Sequence, residues 1–295
     1  MTRLQVVHWS SGTKNFGSSY GVDGTEATTC SEDIKHELGR GGPGHRRATT
    51  IPWLELLLAA SVVSLLLQLS WPAIRRWSNR PRAGIQVEQE ASPYSFLLYL
   101  PDDYSGKERW PLLVFLHGAG NRGFDLRQVK GCGPPQLINE GGHFPMIVAT
   151  PQCPKNHQWE PSHILSLVDS LCERFQIDAN RIYLAGNSMG GFGAWHTAET
   201  APDRFAAIVP ACGGGTPSQS HQLSQLPIWA FHGELDDIVP LKASQEMIEA
   251  VKAAGGTPKF TVYPETGHGI CDATFRNPEL YEWLLSQRRR NDATN

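Results

Sequence analysis

Short apolar runs alternate with segments of helical periodicity from about Gly84 onward. The runs include WPLLVFLHG and FPMIVATP, which are nearly continuous and typical of strands buried on both faces of a sheet. Between such runs, Ile164, Leu167, Val168 and Leu171 follow the spacing of one helix face. Strands that alternate with helices predict an α/β fold, with a mostly parallel sheet and helices on both faces.

Different segments precede this region. Residues 1–50 are rich in Gly, Ser and Thr, so we expect a disordered tail; the alternative is that the true start lies further along the chain. Residues 51–71 are apolar with basic flanks, but the uninterrupted part is short for a membrane span of roughly 20 residues. We expect a hydrophobic signal or anchor segment there, with a buried core helix as the alternative. Residues 72–88 are then a linker, and 89–290 the main domain.

Charge and cysteine usage exclude several classes of protein. The net charge is −3 and there is no basic stripe, so we expect no nucleic-acid partner. None of the 6 cysteines forms a C-x-x-C pair, which argues against a zinc ribbon or a thioredoxin motif. The cysteines are too sparse for a disulfide scaffold, and the one bridge that we consider joins Cys132 to Cys153.

The strongest local signal is GNSMGG, which lies between a predicted strand and a predicted helix. Gly186, Ser188 and Gly190 fit the G-x-S-x-G pattern of a nucleophile elbow. Such a turn presents the serine at a helix N-terminus, and strand and helix crowd the two glycine positions. The alternative is a glycine-rich turn with an incidental serine. We predict that Ser188 is a nucleophile.

A serine nucleophile needs a base. In hydrolases with a nucleophile elbow, the acid and then the histidine follow the serine in the chain. His268 follows the last predicted strand in a glycine-flanked loop, where a base can stand over Ser188. His196 falls in the helix after the elbow, His221 in a polar loop and His232 at a strand end. We therefore predict His268 as the base, a structural role for His196, and local packing or hydrogen bonding for His232.

Three carboxylates in HGELDDIVP precede His268 and follow a predicted strand. A buried carboxylate would fix the imidazole tautomer and stabilise the imidazolium. We favour Asp236. Asp237 is the main alternative, with capping of a helix near Val239 as its other role, and Glu234 is expected to be a solvated loop residue.

The stretch LLVFLHGAGNRG admits two interpretations. Gly118, Gly120 and Gly123 match the G-x-G-x-x-G of a dinucleotide-binding turn. The residues that follow contain more glycine and proline than a helix allows, which counts against that interpretation. The other interpretation is an oxyanion hole, with one N–H from Met189 after the nucleophile and one from Ala119 in this loop.

The region from about Gln89 to Arg288 resembles bacterial α/β-hydrolases known as predicted peptidases, which are relatives of carboxylesterase/phospholipase and polyhydroxybutyrate-depolymerase-like esterases. The matching pieces are PLLVFLHGAGNRG, VATPQCP, RIYLAGNSMGGFGAW, PDRFAAIVPACGGG, WAFHGELDDIVP and YPETGH. The resemblance implies an α/β-hydrolase catalytic domain over residues 89–290, with esterase-type chemistry and neither metal nor organic cofactor.

Site residues follow from the same resemblance. It implies Ser188 as nucleophile, Asp236 as acid, His268 as base, and Ala119 and Met189 as oxyanion-hole donors. Trp159 matches a tryptophan of the family and is our candidate for substrate binding, with a packing aromatic as the alternative. Asn187 departs from the family pattern, as does the segment after His268, which lacks a tryptophan. Substrate identity therefore does not carry over.

The sequence thus predicts a serine hydrolase that cleaves carboxylic esters through an acyl-enzyme. The alternatives are a serine peptidase of the same fold and a non-catalytic binding protein on a hydrolase scaffold. The expected partner is a small-molecule or polymer-borne ester. We expect membrane association through residues 51–71, or secretion, including to a periplasm.

Overall fold

The computed structural model describes residues 80–289 and, before them, only Ser61 and Ser64. The predicted tail at 1–50 lies outside the described residues, as do the rest of the hydrophobic segment at 51–71 and residues 72–79 of the linker. Within the described part of the chain, no helix has the length and apolar character that crossing a membrane requires.

A single sheet of eight strands forms the centre of the described region, in the order β1-β2-β4-β3-β5-β6-β7-β8. Its first two strands pair antiparallel, and β2 is also antiparallel to β4, whereas every other neighbouring pair is parallel. The strands are β1 Gln86–Gln89, β2 Phe96–Tyr99, β3 Trp110–Leu116, β4 Ile147–Pro151, β5 Ile177–Asn187, β6 Ala207–Ala211, β7 Trp229–Gly233 and β8 Lys259–Tyr263. The predicted, mostly parallel sheet is confirmed, and its first strand begins inside the predicted linker.

Helices cover both faces of the sheet, as predicted. They are α1 Pro134–Asn139, α2 Pro161–Arg174, α3 Met189–Thr200, α4 Lys242–Ala253, α5 Cys271–Phe275 and α6 Pro278–Ser286. Val114 faces the core that contains α2, α3 and α4, whereas its neighbour Phe115 faces the core that contains α1, α5 and α6. Because successive strand residues point to opposite faces, the continuous apolar run of β3 fills two cores at once.

The carboxyl ends of the parallel strands meet at one edge of the sheet. There β3 leads into His117, β5 into Ser188, β7 into the loop with Asp236, and β8 into the loop with His268. Residues that are far apart in the chain are thereby brought to the same edge.

A disulfide joins Cys132 to Cys271, across a sequence separation of 139. The pairing of Cys132 with Cys153 that we considered from the sequence was wrong. Cys153 is a buried free thiol that packs in the core on the α2–α4 face, whereas Cys132 packs against the core on the opposite face. The sheet lies between those two sulfur atoms.

Candidate active site

Ser188 occupies the sharp turn between β5 and α3. Its backbone has φ 57° and ψ −118°, a strained combination for a residue with a side chain. A Cβ at Gly186 would collide with the carbonyl oxygen of Gly190, and one at Gly190 with that of Leu116. The Ser188 N–H donates to the carbonyl of Ala211 at 2.8 Å, so β6 holds the turn from the side. The predicted crowding around the elbow is present.

The hydroxyl of Ser188 and two further side chains form one line of hydrogen bonds. His268 Nε2 lies 2.8 Å from Ser188 Oγ, and His268 Nδ1 lies 2.7 Å from Asp236 Oδ2. The Asp236 side chain is fully buried, and that of His268 is 19% exposed. An ionised carboxylate can only accept, so Nδ1 carries the proton and Nε2 faces the serine hydroxyl as an acceptor.

The Asp236 carboxylate is fixed by the turn that follows it. Its Oδ1 accepts from the N–H of Ile238 at 3.0 Å and of Val239 at 2.9 Å. Burial opposes ionisation, but the hydrogen bonds from Val239, His268, Cys212 and Ile238 outweigh it and lower the pKa of Asp236. The carboxylate is therefore charged where a histidine needs a counterion.

The other two carboxylates of this loop lie apart from His268. Asp237 is exposed, and the helix that we expected near Val239 begins only at Lys242, so Asp237 does not cap it. Glu234 is exposed, as expected, and accepts from the N–H of Glu265 at 3.0 Å.

The backbone after β3 packs directly on the elbow. A Cβ added at Gly118 would lie 3.5 Å from the carbonyl oxygen of Asn187 and 3.5 Å from Ser188 Cβ. Within the described residues, the N–H groups of Ala119 and Met189 donate no hydrogen bond to another element or loop. The N–H groups of Ala119 and Met189 thus stay our candidates for an oxyanion hole.

His117 orients the peptide group that carries one of those donors. Its Nε2 accepts from the N–H of Cys153 at 3.0 Å, so its proton is on Nδ1, which donates to the carbonyl of Gly118 at 2.7 Å. That carbonyl and the N–H of Ala119 belong to one peptide group and point in opposite directions. Burial lowers the pKa of His117 to about 4, so the ring remains neutral and keeps this arrangement.

Trp159 lies beneath the same loop rather than along an open wall. It is 5% exposed, and its Nε1 donates to the carbonyl of His117 at 3.1 Å. Its ring meets the ring of His117 edge-on at 4.9 Å and that of Tyr94 at 5.2 Å. Arg122 adds a link from above, donating to the carbonyls of Ala119 and His157 at 3.1 Å each.

The glycines of the G-x-G-x-x-G stretch do not open a long helix. Residues 119–121 form one 3-10 turn and residues 126–131 another, and the first described α-helix after them begins at Pro134. A dinucleotide turn needs a helix N-terminus within its glycines. The loop therefore lacks the helix that a dinucleotide-binding turn requires.

The remaining predicted histidines separate into two groups. His196 and His221 are exposed, and His232 is buried beside Asp236. The ligand atoms of His232, Asp236 and Cys212 lie within 4.8 Å of one another, which is close enough to hold a metal ion. However, Asp236 Oδ2 already accepts from His268, so a metal bound there would compete for the oxygen that orients the histidine.

Sequence reasoning did not identify the roles of Cys212 or of the His117 ring. Cys212 follows β6 with φ 46°; its thiol lies beside Asp236 and donates to the carbonyl of His268 at 3.8 Å. No motif marks such a thiol, because its neighbours come from later loops of the chain. The sequence shows His117 before Gly118, but it does not show that the His117 ring turns toward the Gly118 carbonyl.

The described residues have the α/β-hydrolase fold. Residues 157–279, which include all three residues of the hydrogen-bonded line, match the family described as Phospholipase/Carboxylesterase. The crystal structure of a thermostable esterase is 31% identical with a TM-score of 0.61, over 70% of this chain and 63% of that one. The feruloyl esterase module of Clostridium thermocellum shares the fold at 16% identity and a TM-score of 0.53, over 74% of this chain and 94% of that module.

A curated relative is the bifunctional acetylxylan esterase/xylanase of Neocallimastix patriciarum, 31% identical over 136 residues. The match covers 44% of this chain but only 20% of that protein, so this chain corresponds to a minor part of it. Together these findings show that the chain is similar to esterases of the α/β-hydrolase fold, the group that the sequence predicted.

Proposed function

We propose that the protein is a serine hydrolase that cleaves carboxylic esters, with Ser188 as nucleophile, His268 as base and Asp236 as acid. The observation that carries the proposal is the line of hydrogen bonds, 2.8 Å and 2.7 Å long, that ends on a serine in a strained elbow. Structural reasons alone would not place a strained serine at the end of a buried carboxylate–histidine pair.

The chemistry takes two half-reactions. Ser188 Oγ attacks the ester carbonyl carbon while His268 Nε2 takes its proton, and Asp236 stabilises the resulting imidazolium. The tetrahedral intermediate collapses, the bond to the alcohol breaks, and His268 returns the proton to the leaving alkoxide. Water, deprotonated by His268, then attacks the acyl-enzyme and releases the carboxylic acid and free Ser188.

The oxyanion that develops in both half-reactions is stabilised by the N–H groups of Ala119 and Met189. Each such donor contributes roughly 3 kcal/mol to transition-state stabilisation. The contacts of His117 and Trp159 hold the first donor in place before substrate arrives. Trp159 was our candidate substrate contact from the sequence; because only 5% of it is exposed, we propose support of this loop as its main role.

Esters are the proposed substrates rather than peptides. The relatives with 31% identity are named as esterases, and one name specifies acetylxylan. We therefore propose an ester carried by a small molecule or by a polymer such as an acetylated polysaccharide.

The proposed location is outside the cytoplasm, either secreted or anchored through residues 51–71. The Cys132–Cys271 disulfide supports it, because disulfides persist in oxidising compartments. Cell fractionation followed by sequencing of the mature N-terminus tests this proposal, and recovery of the protein with a reduced Cys132 in the cytoplasm would contradict it.

Labelling with a fluorophosphonate probe tests the nucleophile. The wild-type protein and a Ser166→Ala control, which changes an exposed serine on α2, should both be labelled, whereas Ser188→Ala should not. Unchanged labelling of Ser188→Ala would exclude Ser188.

Hydrolysis of a panel of p-nitrophenyl esters, acetylated xylan and short peptides tests the substrate class. We expect ester cleavage that Asp236→Asn reduces by roughly 10⁴-fold, whereas Asp237→Asn changes it little. Peptide cleavage without ester cleavage would favour the peptidase alternative, and no hydrolysis at all would favour a binding protein.

A further inference from the structure

A second histidine contacts the oxygen of Asp236 that accepts from His268. His232 Nε2 lies 3.3 Å from Asp236 Oδ2 and 2.9 Å from the carbonyl oxygen of Val239. The side chains of His232 and Asp236 are both fully buried. Both oxygens can only accept, so His232 carries a proton on Nε2, which it donates to the Val239 carbonyl; its contact with Asp236 Oδ2 is electrostatic.

The other side of the His232 ring is fixed by α4. Its Nδ1 lies 2.7 Å from Ser244 Oγ, and that oxygen lies 2.7 Å from the carbonyl oxygen of Gly213; Ser244 has one hydroxyl proton for these two contacts. Ser244 is fully buried, and Gly213 follows β6. The ring is therefore held at one nitrogen by the loop after β7 and at the other by α4.

We propose that His232 is a positioning residue for Asp236 and sets how strongly that carboxylate acts on His268; the proposal rests on the proposed function. The Nε2–H of His232 holds the Val239 carbonyl in the turn that binds Asp236 Oδ1, and it lies 3.3 Å from Oδ2, the oxygen that meets His268 Nδ1. It also takes up part of the negative charge of that oxygen, so it moderates the field that stabilises the imidazolium.

The other groups around the His232–Asp236 pair are uncharged, exposed or part of the proposed catalytic line, so His232 is the group whose effect on Asp236 can be tested by substitution. From the end of β6, Cys212 presents a thiol to Asp236, and burial raises the pKa of that thiol to about 12, so it stays neutral. The loop after β8 presents His268, and α4 presents the uncharged hydroxyl of Ser244. Glu234, Asp237 and Glu265 of the adjoining loops are exposed.

Two substitutions separate positioning from packing. His232→Leu removes the donor and keeps apolar volume, whereas His232→Gln keeps an amide N–H near the place of Nε2. We expect His232→Leu to lower kcat for a p-nitrophenyl ester by about tenfold, the scale of one buried hydrogen bond. KM should not change, because the fully buried side chain of His232 cannot touch substrate.

The pH profile supplies the readout that a packing role would not change. Without the His232 donor, the charge of Asp236 acts more fully on His268, and protonated His268 is stabilised. The acid limb of kcat/KM should therefore move to higher pH by roughly half a unit or more in His232→Leu. His232→Gln should restore most of kcat and return the limb to its wild-type position.

The controls are His196→Gln, which changes an exposed histidine on α3, and Ser188→Ala. Equal losses in His232→Leu and His232→Gln with an unmoved acid limb would overturn the proposal. If His232→Leu does not fold, His232→Asn replaces it, because the shorter amide reaches toward Ser244 but not Asp236. The same comparison of kcat and of the acid limb with His232→Gln then tests the proposal. Hydrolysis that survives in Ser188→Ala would instead refute the proposed function itself.

Discussion

Cys271 lies three residues after His268 and is bonded to Cys132, which follows the oxyanion loop. The same two segments are joined again by Arg276, which donates to both carboxylate oxygens of Glu140 at 2.9 Å and 3.0 Å. The loop that carries the proposed base is thus linked twice to the segment that follows the proposed oxyanion donor.

We expect removal of this disulfide to affect stability more than chemistry. Cys132→Ser combined with Cys271→Ser should lower the free energy of unfolding by roughly 2–5 kcal/mol, because the bond closes a long loop in the unfolded chain. The fall in kcat should be smaller, about two- to tenfold, since the Arg276–Glu140 pair remains. Urea unfolding and ester hydrolysis measure the two effects.

Cys172→Ser is the control, since that cysteine is free and half-buried on α2. A reductant should reproduce the destabilisation in the wild-type protein and leave the double variant unaffected. Identical unfolding of the wild-type protein with and without reductant would contradict this prediction.

Burial of His117 predicts a stability loss in mild acid. The pKa of His117 is lowered from about 6.5 in the unfolded chain to about 4 in the folded protein. Between those values the unfolded chain binds a proton that the folded protein does not, so stability falls as pH falls from about 6.5 to about 4. The full loss is about 3 kcal/mol. Urea midpoints at pH 7 and pH 4.5 measure most of it.

The matched variant is His117→Asn, whose amide can still donate to the Gly118 carbonyl but does not titrate. Its stability at pH 7 should be lower than that of the wild-type protein, because the Cys153 N–H loses its acceptor. Its dependence on pH between 4.5 and 7 should be flatter. A slope equal to that of the wild-type protein would assign the acid sensitivity to other groups.

The fold and much of the site could be predicted because each signal is local. A buried strand, a glycine-flanked serine and a following helix specify the elbow around Ser188 within a dozen residues. The order of strands then brings Asp236 and His268 to the same edge, since parallel strands end together. The sequence could not decide between the adjacent carboxylates Asp236 and Asp237, because the answer depends on which of the two the turn buries.

Features that depend on distant partners could not be predicted in this way. The Cys132–Cys271 bond joins residues 139 positions apart, and no spacing rule selects that pair over others. The contact between His232 and Asp236 depends on how the loop after β7 folds back over its strand. Sequence places His232 at a strand end but does not show which group its ring meets.

Crowding predicts a large loss of stability on substitution of Gly190 in the elbow and almost none on substitution of Gly120 in the loop after β3. Gly190→Ala would place a Cβ against the carbonyl oxygens of Leu116 and His117, which cannot move without disrupting the end of β3. We expect a loss of more than about 3 kcal/mol in unfolding free energy or failure to fold. Gly120→Ala has no atom within 4 Å of the new Cβ, so stability should change by less than about 0.5 kcal/mol.

Thermal and urea unfolding of both variants check this pair. Gly120→Ala, the control, also tests the dinucleotide interpretation of the G-x-G-x-x-G stretch, because such a turn cannot accept a side chain at its second glycine. A folded Gly190→Ala variant with wild-type stability would show that the elbow is less crowded than its geometry indicates.

Trp159 provides a test of how the oxyanion loop is supported. Trp159→Phe keeps an aromatic ring against His117 and Tyr94 but removes the N–H that donates to the His117 carbonyl at 3.1 Å. We expect kcat to fall by about fivefold, the scale of one neutral hydrogen bond, because the His117–Gly118 peptide group, which adjoins the one with the Ala119 N–H, becomes less well fixed. KM should change by less than twofold, since only 5% of Trp159 is exposed. Steady-state kinetics on a short-chain and an aromatic ester measure both constants, and a rise in KM alone, larger for the aromatic ester, would show instead that Trp159 acts by touching substrate.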